Sequence, residues 1–412
     1  MAKSILDAKV YESALKLSQE IENSVMVAAT VRFDKSRWPQ ILFQTFPIAA
    51  ATCAVSPDSS YRFLKSAIDA AKSTLDLYIY DVSAPYLVDL LTQAKKRGVK
   101  IRSMYDANSQ GNSELALLKA VGQTKAAPSS GDRQVFTVCH QKFLVIDKAT
   151  LLVESANWAK TSVPQITKFG TYKKGNREWL IRIDDAQVAK WFAALFQTDW
   201  NIPAAVGLQS VIDVGSAQLD VAALTTTQPP SHLFDIDAIK DGQAKILPIL
   251  SPNNYLTETK ALLNSAKKTI CLQQQYVLAG NGVKDLVEIM AKKRQAGIDI
   301  KVISSAAFPE NWQATQLTLK SAGLLSRLKA VNPASFTHCH NKGVIVDGKS
   351  VIVSSTNWSE NSITRAREAG LLIHSQKIAR YYQDVFTTDW NDGITPNAVE
   401  GLMTVIDGAD AF

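Results

Sequence analysis

The chain repeats itself, and the repeat carries a narrow set of reactive side chains. His140-Gln-Lys142-Phe-Leu-Val-Ile-Asp147, followed by Ser155-Ala-Asn157, returns two hundred residues later. The second copy reads His340-Asn-Lys342-Gly-Val-Ile-Val-Asp347, followed by Ser355-Thr-Asn357. In both, His to Lys is two residues, His to Asp seven and His to Asn seventeen. A duplication of this kind demands two similar folding units. Each must bring one imidazole, one ammonium, one hydroxyl and one amide to comparable places.

Local structure predicts how. Residues 135–147 and 336–347 are rich in Val, Ile and Phe and read as strands. Residues two apart on a strand share a face, so each His lies beside its Lys. Asp347-Gly348 signals a hairpin, and Asp147-Lys148-Ala149 holds the same place in the first copy. The returning apolar runs, 151–153 and 351–353, would bring Ser155 with Asn157, and Ser355 with Asn357, back to the His and Lys. One imidazole can act as a nucleophile, and two can divide nucleophile and general acid between them.

The repeat extends beyond this stretch. Ser56-Pro57 is matched by Ser251-Pro252. Helices are expected over 59–72 and 254–267, strands over 75–80 and 270–275, helices over 85–97 and 282–295, and strands over 99–104 and 298–303. Alternating strands and helices predict an α/β fold of two pseudo-symmetric halves, each a mostly parallel mixed sheet flanked by helices. The basic clusters Lys95-Lys96-Arg97 and Lys292-Lys293-Arg294, before Gly98 and Gly297, read as helix-end caps. Each half ends with a helix running to Asp199-Trp200 or Asp389-Trp390, then a coda at 207–213 or 401–407. The chain divides into an N-terminal extension (1–50), a first half (51–213), a linker (214–243) and a second half (244–412). The linker holds Thr225-Thr-Thr-Gln-Pro-Pro230. In the extension, Tyr11 to Glu22 reads as a helix and Ser24 to Phe33 as a strand, with no functional reading attached.

Each half also carries a glutamate at the entry to a strand, in Asn176-Arg177-Glu178 and Ala366-Arg367-Glu368. The first lies ten residues further from its motif than the second, owing to an insert around 163–175. That insert holds Lys168, Lys173 and Lys174 with Phe169 and Tyr172. It reads first as a solvated loop and second as a grip for phosphates and bases.

A formal net charge of +7 and a pI near 9.0 suit an anionic substrate. No run of 18 apolar residues appears, so no transmembrane helix is expected. Met1 to Glu20 alternates charged and apolar residues, unlike a signal peptide. A cytoplasmic protein is expected, or a secreted one had a signal peptide been removed. The four cysteines form no metal-binding or redox spacing. Cys139 and Cys339, each just before a motif His, read as small residues buried under the site. His338 and His340 share a strand face, but no third ligand completes a metal site, so neither metal nor cofactor is expected.

His-x-Lys-x4-Asp with a downstream Ser-x-Asn resembles the HKD motif of the phospholipase D superfamily, and the resemblance covers nearly all of both halves. It implies two halves that face each other across a pseudo-two-fold axis and build one active site from His140, Lys142, Asp147, His340, Lys342 and Asp347. His140 would attack phosphorus to give a phosphohistidine, and His340 would protonate the leaving oxygen and then activate water or another alcohol. Lys142 and Lys342 would bracket the non-bridging oxygens, with Asn157 and Asn357 donating further hydrogen bonds. Ser155 and Ser355 would brace the site, and Asp147 and Asp347 would be mainly structural. Glu178 would orient His340, and Glu368 would orient His140. One departure is Glu154 and Ser354, where the family often has Gly; Glu154 would either repel an anionic substrate or point away.

The resemblance leaves the substrate open. Two unequal copies in one chain favour phospholipid head-group cleavage, with transphosphatidylation as a corollary. The basic pI, the insert, and Asn157-Trp158 and Asn357-Trp358-Ser359, similar to a run in nuclease members, favour a metal-independent nuclease instead. A non-catalytic binding protein with the same fold is the third reading. Trp38, or Phe308 to Trp312, would serve peripheral membrane contact if exposed. With both halves in one chain, a monomer is expected.

Overall fold

Two long strands at the centre of the molecule join the halves. The structure, a computed structural model, describes residues 5–25, 35–109, 111–129, 134–202 and 227–409. The chain opens with α1 (Ala8–Val25). The first half then runs β1 (Phe46–Ser56), α2 (Ser60–Asp69), β2 (Thr74–Ile79), α3 (Pro85–Lys96), β3 (Lys100–Tyr105), α4 (Leu115–Val121), β4 (Gln123–Ala126), β5 (Phe143–Ile146), β6 (Thr150–Glu154), β7 (Gly175–Ile183) and α5 (Ala186–Asn201). The second half repeats the plan with β8 (Asp237–Ser251), α6 (Tyr255–Ser265), β9 (Thr269–Gln274), α7 (Asn281–Gln295), β10 (Asp299–Ser304), α8 (Pro309–Ser321), β11 (Leu328–Ala330), β12 (Phe336–Cys339), β13 (Lys342–Val346), β14 (Ser350–Ser354), α9 (Glu360–Thr364), β15 (Glu368–His374) and α10 (Gln376–Asp392). A last helix, α11, spans Pro396–Ala409.

The strands form one continuous sheet, ordered β11-β10-β9-β13-β14-β15-β8-β1-β7-β6-β5-β2-β3-β4, with β12 beside β7. The expected α/β halves are present, but the sheet is not mostly parallel. Parallel pairing within this order is confined to β2-β3-β4 and β9-β10-β11, where helices cross over between strands. The centre is antiparallel because β5-β6 and β13-β14 are tight hairpins, and the chain then returns antiparallel into β7 and β15 after the longer segments 155–174 and 355–367. The divisions expected at 51 and 244 fall inside strands: β1 starts at Phe46 and β8 at Asp237, and their early residues pair with each other.

The hairpins follow the sequence signal. Asp147 and Lys148 have φ of 53° and 52°, and Asp347 and Gly348 have φ of 55° and 59°, the left-handed pair that a two-residue turn needs. At Gly343, where the first copy has Phe143, a Cβ would come within 2.2 Å of the Trp179 ring, so the second copy gives up its side chain to the first half's indole.

Residues 135–147 do not form one strand, since only β5 is a regular ladder, and 336–347 splits into β12 and β13. The reason lies across the interface. The segment before each motif Lys leaves its own sheet to bond the other half. The His140 amide donates to the Arg367 carbonyl (2.8 Å), and the His340 amide to the Arg177 carbonyl (3.1 Å).

A core shared by both halves lies under α5 and α10 and includes Phe143, Trp179, Phe192, Ile345, Tyr382 and Phe386. Separate cores sit under α2-α3 and α6-α7. The basic clusters cap helix ends, but those of neighbouring helices: Lys95 Nζ donates to Ala120 O of α4, Arg97 to Ile68 O of α2 and Lys293 to Ala266 O at the end of α6. Of the strand expected over 24–33, Ser24 lies in α1, and 26–33 lie outside the described residues. The coda at 207–213 also lies outside them, whereas 401–407 is helical, within α11.

Candidate active site

Both histidines stand where the halves meet. Their rings are 6.4 Å apart between centroids and tilted by 72°. Each Nδ1 is held by the other half. His140 Nδ1 lies 3.0 Å from Glu368 Oε2 and 3.1 Å from the Ser355 carbonyl oxygen. His340 Nδ1 lies 2.6 Å from Glu178 Oε1. All these partners are acceptors, so each Nδ1 carries the hydrogen and each Nε2 is left with a lone pair.

The glutamates reach this place through register. Glu178 on β7 lies opposite Ser56 of β1, and Glu368 on β15 opposite Ser251 of β8. Ser155 Oγ donates to Glu178 Oε2 and Ser355 Oγ to Glu368 Oε2, each at 2.6 Å. Ser162 Oγ adds a third bond to Glu178 at 2.9 Å. The two serines thus brace the carboxylates.

Charge is buried here at high density. Burial, with the nearby Lys142 and Lys342, pushes the His140 imidazole well below its usual range. Burial also lowers His340, to about 4, against the pull of Glu178. Both imidazoles are therefore neutral at pH 7. Burial alone would raise Glu178, but His340, Lys342 and Ser155 outweigh it and hold the carboxyl at about 2. Glu368 lacks that advantage and is pushed up to about 7 by burial. The site is symmetric in shape and asymmetric in charge.

Lys142 and Lys342 are fully buried beneath the imidazoles. Burial lowers them to about 7 and about 8. Lys142 Nζ donates to the His140 carbonyl (2.8 Å) and lies 5.2 Å from the Tyr80 ring centroid. Lys342 Nζ donates to the His340 carbonyl and to Gln275 Oε1 (3.3 Å). Asn157 and Asn357 line a cavity of about 230 Å³ that both histidines share, and the Oδ1 of each has no protein partner.

Asp147 and Asp347, grouped with the catalytic set by the motif, lie outside it. Asp147 accepts from the amides of Lys72, Ser73 and Thr74, and Asp347 from those of Lys267, Lys268 and Thr269. Each fixes the start of β2 or β9. Glu154 does not face the cavity: it is buried, accepts from Trp158 Nε1 (3.0 Å), and burial pushes it up to about 8. Cys139 and Cys339 are buried in the shared core.

Several functional candidates move. The insert does not line the cavity. Lys173 bonds the Gln165 carbonyl, Tyr172 donates to the Ser335 carbonyl, and Phe169 lies under Arg62. Trp312 is buried, and Trp38 donates to the Val135 carbonyl, so neither is a free membrane anchor; Phe308 lines the cavity instead. His338 is lowered to about 3 by burial and packs against Phe308 and His340. Among the described residues no group of three or more His, Cys, Asp or Glu side chains can hold a metal ion, and no helix is long and apolar enough to cross a membrane.

Sequence reasoning missed the ion pairs that clamp the halves. Arg367 makes a two-pronged bond to Asp199 (2.8 and 3.0 Å), and Arg177 bonds Asp389 (3.0 Å) and Asp58 (3.0 Å), all fully buried. The signal was present, since Arg-Glu and Thr-Asp-Trp recur in both halves. It read a helix over Tyr11 to Glu22 but not its role: the end of α1 lines the cavity with Ile21, Glu22 and Ser24.

Comparison with known proteins agrees with the geometry. A family model described as cardiolipin synthase, PLD-like domain, matches residues 64–200 and 259–390. The mouse mitochondrial cardiolipin hydrolase is 27% identical over 146 residues, 35% of this chain and 59% of that protein. A phospholipase D of Rickettsia bellii is 25% identical over 139 residues, 34% of this chain and 63% of its own. The chain thus spans less than two thirds of the length of these curated relatives. The crystal structure of a phosphatidylserine synthase of Haemophilus influenzae superposes with a TM-score of 0.59 at 14% identity, covering 96% of this chain and 98% of that one, which shows a shared fold. With both copies of the domain matched, over more than half its length, the chain belongs to the cardiolipin-synthase-type, phospholipase D-like family and so to the phospholipase D superfamily.

Proposed function

We propose that this protein is a phosphodiesterase of the phospholipase D type that cleaves the head group of a phospholipid through a covalent phosphohistidine. The observation that carries this reading is the pair of imidazoles, each held at Nδ1 by a carboxylate of the opposite half. That arrangement leaves two Nε2 atoms for a phosphodiester bound between them.

In the first step His140 Nε2 forms a bond to phosphorus as the bond to the leaving oxygen breaks. With the anionic phosphodiester bound beside Glu178, His340 takes up a proton at Nε2 from solvent, gives it to the leaving oxygen and is left neutral. In the second step His340 takes a proton from water, and the hydroxide displaces His140 from phosphorus. The charges support this division of labour. His140 resists protonation more strongly, which suits a nucleophile. His340, against a fully ionised Glu178, is the easier of the two to protonate. Lys142 and Lys342 each have at least one N–H beyond the bonds they make to protein acceptors, which would face the phosphoryl oxygens, and Asn157 and Asn357 line the cavity, where their amide N–H groups would donate. Such preorganised donors stabilise charge as it spreads in the transition state. An alcohol that reached the phosphohistidine in place of water would give transphosphatidylation.

Lipid is favoured over nucleic acid by the cavity wall. Its described lining includes no Lys or Arg, whereas proteins that grip a polynucleotide track its phosphates with basic side chains. The test is product release from labelled phospholipid vesicles, single-stranded DNA and RNA side by side in EDTA, with His140→Ala as control. Release of a lipid head group alone supports the reading, and cleavage of nucleic acid alone overturns it.

A further inference from the structure

We propose that the wall built by α1 and the start of α8 is a charge filter, admitting phospholipids whose head group carries an ammonium and turning away polyanionic phosphodiesters. The proposal rests on the phosphodiesterase reading and names its substrate class.

The chain is basic overall, but its cleft is not. The acidic and basic residues among the described lining are His140, His340, Glu22, Asp106, Glu310 and Glu368. Two of the carboxylates are committed. Glu368 holds His140, and Asp106 accepts from Ser129 Oγ (2.7 Å), the Cys139 amide (2.7 Å) and the Asn108 amide (2.8 Å). Glu22 and Glu310 remain on the wall. Glu22 is partly answered within the protein, by the Asn361 amide (3.0 Å), Ser359 and the Arg365 guanidinium at 3.9 Å, so the larger share of the wall's open charge falls to Glu310. Glu310 is exposed in the first turn of α8.

The neutral groups around them point the same way. Asn357, 5% exposed, lines the cavity, and its Oδ1 is buried without a partner; so is the Oδ1 of Asn311, next to Glu310. The rings of Tyr276 and Phe308 line the same space. Carboxylates, unpaired carbonyl oxygens and aromatic rings together suit an ammonium, which donates hydrogen bonds and is drawn to ring faces. A second phosphate in the same space would meet the carboxylates instead, and that repulsion discriminates as effectively as any attraction.

The filter is one-sided. α1 lies outside the duplicated halves and is fixed to the second by Tyr11 and Gly280 (2.8 and 3.1 Å), by the Ala279 amide on Ser18 (2.8 Å), and by Glu22 on Asn361. A symmetric catalytic pair thereby acquires an asymmetric entrance.

The test compares kcat/KM for phosphatidylethanolamine and for cardiolipin, a dianion, in mixed micelles, with bis(p-nitrophenyl) phosphate as a reporter of basic turnover. Single-stranded DNA is included as a second polyanion. The wild type is expected to prefer phosphatidylethanolamine, and Glu310→Lys to shrink the ratio on the order of tenfold, the size expected for reversing one nearby charge. Glu22→Gln should shrink it less. Taking the ratio cancels any general loss of activity. Wild-type preference for cardiolipin or DNA, or a ratio unmoved in Glu310→Lys, overturns the filter. No turnover of bis(p-nitrophenyl) phosphate by the wild type would instead overturn the phosphodiesterase reading, and the filter with it.

Discussion

Asp199→Asn should cost far more stability than a single amide substitution normally does. Asp199 closes α5 in the first half, and its carboxylate meets Arg367 of the second half through bonds of 2.8 and 3.0 Å. Neither side chain is exposed to any extent. Asn fills the same volume but carries no charge, so the guanidinium is left buried with Asn253, the Phe136 ring face and the amide, and no carboxylate bonded to it. Leaving one member of a buried pair uncompensated costs about 3–5 kcal/mol. Whole domains are stable by only about 5–15 kcal/mol, so the variant should sit near the edge of folding. The double variant Asp199→Leu/Arg367→Met removes both charges and should recover about 2 kcal/mol or more of the loss. Urea unfolding followed by tryptophan fluorescence measures both. Arg367 also precedes Glu368, so the single variant should lose activity before it unfolds. A single variant within about 1 kcal/mol of wild type, or a double variant less stable than the single, would refute the argument that this pair clamps the halves.

Other outcomes follow from the same geometry. Glu178→Gln should lower kcat on the order of 100-fold or more, and by more than Glu368→Gln at pH 7, because Glu178 is fully ionised there and Glu368 only partly; steady-state rates on one phospholipid decide this. The same substitution should flatten the acid limb of stability. Glu178 has its folded pKa depressed from 4.5 to about 2, so its contribution is complete above pH 4.5 and is lost as pH falls towards 2, which thermal unfolding across that range would show. Lys142→Ala should reduce kcat about 100-fold while KM moves little, since its ammonium lies beneath the cleft rather than on its wall. Asp147→Ala should act in the opposite sense. It breaks the bonds to Lys72, Ser73 and Thr74 and so costs about 2–3 kcal/mol, while kcat per folded molecule is kept.

The sequence made the reactive set legible because His, Lys, Ser, Asn and Glu recur in order within a duplicated unit. Glu178 and Glu368 do lie at the opposite half's histidine, as the resemblance implied, though only register along β7 and β15 shows how. What failed to show was anything that depends on a partner distant in sequence. Apolar alternation marks a strand but not its neighbour, so the two motif hairpins were legible while the antiparallel pairing of β7, β1, β8 and β15 between them was not, and the segments before the motif lysines were read as ordinary strands. Arg177 and Arg367 drew no reading from the sequence because burial of a guanidinium depends on an aspartate more than a hundred residues away. The basic insert drew attention by composition, yet it folds against Arg62 and Ser335 outside the cavity. Helix α1, with no repeat to mark it, gave no sign that its end would form part of the cleft.

The central claim is a covalent intermediate on His140, and it can be observed directly. A phosphodiester with a p-nitrophenol leaving group needs no acid, so His340→Ala should still form the intermediate while breaking it down slowly. Rapid quenching at high pH, digestion and mass spectrometry would locate the adduct. The account predicts it on the peptide containing His140, accumulating in His340→Ala and missing in His140→Ala. Product release by the wild type with no adduct on either histidine, or an adduct on His340 instead, would contradict it.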